Sequence, residues 1–252
     1  MQLQEYSRLK DLMALFSDDL IWVPFTDKDG SLNEFKQQVA LVEKSITSRE
    51  TNKGPLLEKL VGLILKRFDA GTFQSDLKVN DNQIDHEFKF IDDFYNHFTA
   101  KIGGTLVCEC KNENSPVNVG YVSKLLEICE NRQSKLGIFF SIKGFTGNGW
   151  IFAEGKRRKN FLRKNIAILL FTLKEIKLLE NHNFFTLLKN KYQQLVDECE
   201  DCVDDVQKYP DEEFKQFRDR LCTTIDQLLK IKLISPSDHT DIMQKISQKY
   251  SD

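Results

Sequence analysis

Two short runs of nearly unbroken apolar residues, LGIFFSI (Leu136–Ile142) and IAILLF (Ile166–Phe171), do most to limit how this chain can fold. Each is too short for a buried helix but has the length of a strand covered on both faces. A charged stretch of helical character, Trp150–Lys164, separates them. Strands that alternate with such helices fit an α/β sheet.

The rest of the chain extends this pattern. A helix should begin near Pro55, a suitable first helical position, with an apolar stripe of Leu57, Val61, Ile64 and Phe68. Gly71 is placed to end it. Strand-like runs follow near Thr72–Val79, Gln83–Phe90 and Thr105–Cys110, then an amphipathic helix over Val119–Arg132. Thr172 can cap a short helix after the last strand, and further helix fills Asn183–Val196. Upstream, Leu3, Tyr6, Leu9, Met13 and Phe16 fall on one helical face. Ser31 and Glu34 fit a capping box ahead of a helix carrying Phe35, Val39 and Val42. Asp211–Ser251 reads as a helical hairpin, with Ser235 as N-cap and Pro236 behind it. This divides the chain into an N-terminal helical extension (1–50), a core (51–182) and a C-terminal helical region (183–252).

Apolar residues make up 40% of the chain and charged residues 29%, the balance of an ordinary globular protein. The net charge of -2 hides an asymmetry. From Asp197 to Asp252 there are 14 acidic and 8 basic residues, against 24 acidic and 28 basic in the rest. A mildly basic body with an acidic tail is compatible with nucleic-acid binding. The start, MQLQEYSRLK, is not followed by the apolar region of a signal peptide, and no run approaches a membrane span. The expectation is a cytoplasmic protein without a membrane partner whose six cysteines are reduced. Cys199 and Cys202 have CxxC spacing, but no second pair completes a zinc site.

The chemistry concentrates on one strand. In Thr105–Lys111, alternation puts Thr105, Val107, Glu109 and Lys111 on one face; on the strand before it, Gln83, Asp85 and Glu87 share a face. If these faces coincide, Asp85 and Glu109 converge beside Lys111. Paired carboxylates repel unless a cation separates them, and their oxygens suit Mg²⁺, with Mn²⁺ as a substitute. The spacing alone is weak, because acid-x-Lys starts at seven positions: Glu34, Asp76, Glu87, Glu109, Glu154, Glu175 and Glu213. Glu109 differs in ending an apolar strand and in following an Asp on the neighbouring one. Glu87-Phe88-Lys89, with Asp76 or Asp81 upstream, is the rival, but IDDFYNHF after it is not the expected core helix.

With these residues in place, the order helix, three strands, helix, strand, helix, strand resembles the PD-(D/E)xK nuclease superfamily. Asp85 in QIDHEF matches the first acid, and Glu109-Cys110-Lys111 in VCECKN the second half-motif. The segment from Gly137 to Phe171, with its glycine- and aromatic-containing turn, resembles the Mrr-like restriction endonuclease branch. The residue before Asp85 is Ile84 rather than proline, and Glu109 stands where Mrr-like proteins often carry glutamine. The resemblance implies an α/β fold: a restriction-endonuclease-like core with a central mixed β-sheet flanked by helices, plus the helical extensions. It also implies Mg²⁺ held by Asp85, Glu109 and the backbone carbonyl of Cys110, with Lys111 assisting a water. Glu58 matches a glutamate on the first core helix that often helps in this family; otherwise it favours the helix dipole as an N-terminal acid. DNA is the implied substrate, and restriction or antiphage defence the implied role.

Lys156, Arg157, Arg158, Lys159, Arg163 and Lys164 form the densest basic cluster, and Lys143 lies in the turn before it. They are the candidates for phosphate contact, or else a solvated helix surface. His86 should face away from Asp85, and Cys108 and Cys110 should be small buried strand residues. Cutting both strands implies a homodimer or a partner subunit. Two alternatives stand beside the endonuclease: a non-catalytic nucleic-acid-binding or scaffold module, and a nuclease subunit switched on by a sensor or ATPase.

Overall fold

The computed structural model describes residues 17–47, 53–79, 82–91, 96–200 and 213–250. The helical face read from Leu3 to Phe16 lies outside them, as does Cys202. The chain forms two compact units, residues 1–199 and residues 200–252.

In the first unit the elements run α1 (Ser31–Thr47), α2 (Gly54–Leu65), β1 (Gly71–Val79), β2 (Asn82–Phe90), α3 (His97–Ile102) and β3 (Thr105–Lys111). They continue with α4 (Val119–Asn131), β4 (Leu136–Ser141), α5 (Phe152–Lys164), β5 (Ala167–Thr172), α6 (Leu173–Ile176) and α7 (Phe184–Glu200). The strands lie in the order β1-β2-β3-β4-β5. β2 is antiparallel to both β1 and β3, while β3, β4 and β5 are parallel. The sheet is therefore mixed, as expected, with β3 at the junction.

Helices cover both faces, which is why most of β4 and of β5 is apolar. Leu106, Cys108 and Cys110 of β3 pack with Ile138 and Phe140 of β4 in one core shared by α1, α2 and α7. Val107, Phe139, Ile168 and Leu170 point the other way, into a second core closed by α4 and Ala153 of α5. This is the period-two alternation of a strand read in three dimensions. The flanking helices belong to the same packing: Phe35, Val39 and Val42 on one side and Phe184, Phe185 and Leu188 on the other are buried in the first core.

Two local expectations are corrected. α2 ends at Leu65, and Gly71 opens β1 instead of closing the helix. Opposite Phe90, a Cβ on Gly71 would sit 2.3 Å from the Phe88 ring and 2.4 Å from the Lys89 carbonyl, so close strand contact is the reason for glycine. At α1, Ser31 is the first helical residue, and the Asp29 carboxylate accepts both its N–H and its hydroxyl. Those bonds hold the Asp29 pKa well below the carboxylate range. Thr172, by contrast, caps α6 in a capping box with Glu175.

In the second unit, α8 (Phe214–Lys230) and α9 (Pro236–Lys249) form the expected hairpin around Phe217, Leu221 and Ile246. Ser235 and Asp238 make its capping box, with Pro236 in the first turn.

Candidate active site

The site begins with a break in β2. This strand pairs with β3 from Lys89↔Thr105 to His86↔Cys108 and no further. Its pairing with β1 skips Asp85 and the facing Asp76, whose backbone is left-handed at φ 54°. Asp85 thus sits where the ladder is interrupted on both sides. Its Oδ2 accepts the Cys110 backbone N–H at 2.7 Å, so the carboxylate replaces a strand-to-strand bond. Alternation is lost there too: Ile84 joins the α4-side core with Val107, although it has the parity of Phe88 in the other core. The simple two-face reading of Gln83, Asp85 and Glu87 therefore fails at Asp85. Its carboxylate lies against the end of β3, which still pairs with β4 through Glu109, Cys110 and Lys111.

Glu109 is only 2% exposed. Its Oε2 accepts a hydrogen bond from Lys111 at 3.2 Å. Its Oε1 is buried and accepts no hydrogen bond from the described residues; Lys124 Nζ stands 3.6 Å away. Burial and then the Asp85 charge push the Glu109 pKa up, against the pull of the two lysines. Burial opposes the charge on Lys111, but its ion pair and hydrogen bond with Glu109 outweigh this and hold its pKa above the usual value. The Lys111 ammonium also lies 4.8 Å from the centre of the Tyr121 ring, a cation–π contact that fixes it from the α4 side.

Glu58 reaches the same place from α2. Burial raises its pKa first, followed by Asp85 and Asp76, with Lys111 opposing. Two tethers set α2 against the sheet here. His86 is buried, and its Nε2–H donates to the Glu58 carbonyl at 2.9 Å. Burial lowers the His86 pKa, as suits a neutral ring with Nε2 as donor. Asn112, next after Lys111, donates through Nδ2 to the Lys53 carbonyl and to Ser45 Oγ. Glu58, Asp76 and His86 also line a cleft of about 330 Å³ between α2 and β1.

A divalent cation fits this donor set. Glu109 presents a buried oxygen that accepts no hydrogen bond from the described residues, near the charge of a second carboxylate, an arrangement that favours positive charge. Among the described residues, no three His, Cys, Asp or Glu side chains are grouped to hold an ion by themselves. Asp85 and Glu109 would therefore share it with a main-chain carbonyl such as that of Cys110, with waters or with substrate oxygens, as Mg²⁺ accepts.

The basic cluster divides. Arg157 and Arg158 are buried, each 8% exposed, which overturns their expected role as phosphate contacts. Arg157 bonds Glu154 and Glu198 and lies over the Phe145 ring. Arg158 pairs with Glu198 and lies over Trp150. Both face inwards because α5 must be fastened to α7. Lys143, Lys159, Arg163 and Lys164 are exposed and Lys156 is half-buried. Lys164 is paired with Glu130. In the rival motif, Glu87 is buried in a bidentate pair with Arg132, so its carboxylate serves the fold. Tyr121 and Lys124 were not anticipated as site residues. Their three-residue spacing just after the motif strand was the available signal, since it places both on one side of α4.

The turn from β4 to α5 carries the glycines noted in the sequence. Gly147 has φ +86°, and a Cβ there would lie 2.4 Å from the Ile151 carbonyl. Val117 bridges Phe145 in this turn, which holds it against the segment leading into α4.

Comparison with known proteins points to a family. A family model described as Restriction endonuclease, of the Mrr catalytic type, matches residues 50–187. No curated protein matches the chain. Among solved structures, the DNA modification-dependent restriction endonuclease AspBHI is similar over 66% of this chain, at 12% identity and a TM-score of 0.35. The chain spans 40% of the length of that protein. Because the family match covers more than half of its residues, the chain belongs to the Mrr-type restriction endonuclease family.

Proposed function

We propose that the chain is a metal-dependent endonuclease that hydrolyses DNA phosphodiester bonds. The observation that carries this reading is the doubly interrupted strand at Asp85, whose carboxylate lies on the Cys110 N–H beside Glu109 and Lys111. Asp85, Glu109 and the Cys110 carbonyl would hold Mg²⁺ or Mn²⁺. When bound, such a cation neutralises the paired carboxylates, holds a phosphate oxygen and acidifies a water.

The chain's own groups supply the rest. Lys111, held in its charged form by Glu109, donates to the oxygens on phosphorus as charge builds there. Glu58, with its raised pKa, accepts the proton of the attacking water. The water oxygen bonds to phosphorus, and the bond to the 3′ oxygen breaks in line. The leaving electron pair stays on that oxygen, which is then protonated by solvent. Tyr121 positions Lys111 rather than touching the substrate.

Lys143, Lys156, Lys159, Arg163 and Lys164 would contact phosphates away from the reacting bond. A double-strand cut needs two such sites, and hence a second copy or a partner subunit. The role would be restriction of foreign DNA in the cytoplasm; the family description, Restriction endonuclease, supports the DNA-cutting part of this reading. Among the described residues, no helix is long and apolar enough to cross a membrane.

The test is cleavage of plasmid and linear DNA with Mg²⁺, Mn²⁺ or EDTA, using the wild type beside Lys111→Ala. Metal-dependent cutting that Lys111→Ala loses is the expected result. A wild type that cuts neither substrate with either metal would count against the reading, and cutting by Lys111→Ala at the wild-type rate would count against the site.

A further inference from the structure

We propose that Lys124 is a second lysine of this site, one that neutralises Glu109 in the free protein and moves onto a phosphate oxygen when substrate and cation arrive. The proposal rests on the nuclease reading above and adds a residue that the motif does not contain.

Three observations lead to it. First, Glu109 Oε1 is buried and accepts no hydrogen bond from the described residues, and the Lys124 ammonium 3.6 Å away faces it. That separation is an ion pair and not a hydrogen bond, so the contact supplies countercharge without fixing geometry. Second, the two lysines differ in access. The Lys111 side chain is 17% exposed and is held between Glu109 and the Tyr121 ring, whereas the Lys124 side chain is 43% exposed. Lys124 can therefore swing toward a ligand arriving from solvent while Lys111 stays in place. Third, Lys124 comes from α4 and Lys111 from the end of β3, so their two ammoniums approach Glu109 from different elements.

A cation bound by Glu109 would take over the neutralisation of that carboxylate. It would also repel the Lys124 ammonium at this short range. A scissile phosphate brought in by the cation offers Lys124 new anionic oxygens. Exchange of Glu109 for phosphate would then couple cation entry to substrate binding, with no covalent change at Lys124.

The experiment uses the full chain with Lys124→Ala and Lys124→Arg beside the wild type, with thermal melts confirming that each is folded. Mn²⁺ binding is measured without DNA, DNA binding is measured against salt with Ca²⁺ present, and single-turnover cleavage is measured with Mg²⁺. For Lys124→Ala we expect severalfold tighter Mn²⁺ binding, because a competing charge has gone. The salt dependence of DNA binding should become shallower by about one unit of log K per log salt. Cleavage should fall on the order of 100-fold, the size typical of losing one group that stabilises transition-state charge, with substantial recovery in Lys124→Arg. An unchanged salt slope and cleavage rate in Lys124→Ala would overturn the proposal and leave Lys124 as a countercharge. A wild type that neither cuts DNA nor binds Mn²⁺ would overturn the nuclease reading and this proposal with it. A wild type that cuts beside an equally active Lys124→Ala would overturn this proposal alone.

Discussion

Replacing Asp85 by Ala and by Asn separates what this residue does for the fold from what it does for a cation. Its Oδ2 accepts the Cys110 N–H at 2.7 Å, and Cys110 is 8% exposed, so no ready access to water awaits that N–H if the acceptor is lost. An unsatisfied buried donor costs about 1–3 kcal/mol. Both substitutions also remove a charge that Glu58 and Glu109 feel as repulsion, which is a gain common to the two. That gain cancels in their difference. What remains is one neutral hydrogen bond, kept by Asn through its side-chain carbonyl and lost by Ala. Asp85→Ala should therefore be about 1–2 kcal/mol less stable than Asp85→Asn without metal. In a chain of this size that is a melting difference of roughly 2–8 °C. Both tryptophans of the chain, Trp22 and Trp150, lie in the 1–199 unit, so their fluorescence in urea or on heating follows that unit alone. Neither variant should cut DNA, because an amide cannot replace the carboxylate as a charged ligand. Equal melting of the two would refute the structural half of this reasoning, and wild-type cutting by Asp85→Asn would refute the other half.

Arg132→Ala should cost about 2–3 kcal/mol in urea unfolding by leaving the Glu87 carboxylate buried without its partner, discounted because Arg132 is one-third exposed. Its cleavage rate per folded molecule should match the wild type; a lost rate at unchanged stability would restore Glu87 as a site residue. With EDTA, stability should fall as pH rises from the ordinary carboxylate range through the raised pKa values of Glu109 and Glu58, because the folded state holds their protons longer. Urea midpoints across that range measure this, and Glu109→Gln should flatten the slope; a slope of the opposite sign in the wild type would refute it. The joint change Lys159→Ala and Arg163→Ala should leave melting within about 0.5 kcal/mol while weakening DNA binding and reducing its salt slope by about two units. Arg157→Ala should instead lower stability by about 2 kcal/mol by removing its bonds to the half-buried Glu154 and to Glu198, which keeps its pair with Arg158; DNA affinity lost without that destabilisation would return Arg157 to the surface role first expected of it.

Much of this was legible in the chain itself, because short-range physics writes it there. The nearly unbroken apolar runs Leu136–Ile142 and Ile166–Phe171 require strands covered on both faces, and both are found so. The capping residues Thr172 and Ser235 mark helix starts through bonds made within three residues. Glu109 and Lys111 share a strand face by alternation and do meet. Other features depended on partners far away in sequence. Asp85 was read as a face residue, but its direction is set by a break in pairing with two neighbouring strands, which a single strand's pattern does not encode. Arg157 and Arg158 look like a basic surface until α7 brings Glu198 against them, about 40 residues later. Lys124 and Tyr121 become site residues only when α4 is laid across the end of β3. The sequence determined which residue types and local elements are present, because propensity, alternation and capping act between near neighbours. Tertiary structure decided which charges are buried, which are paired and which face the site, because those depend on what distant segments remove from water.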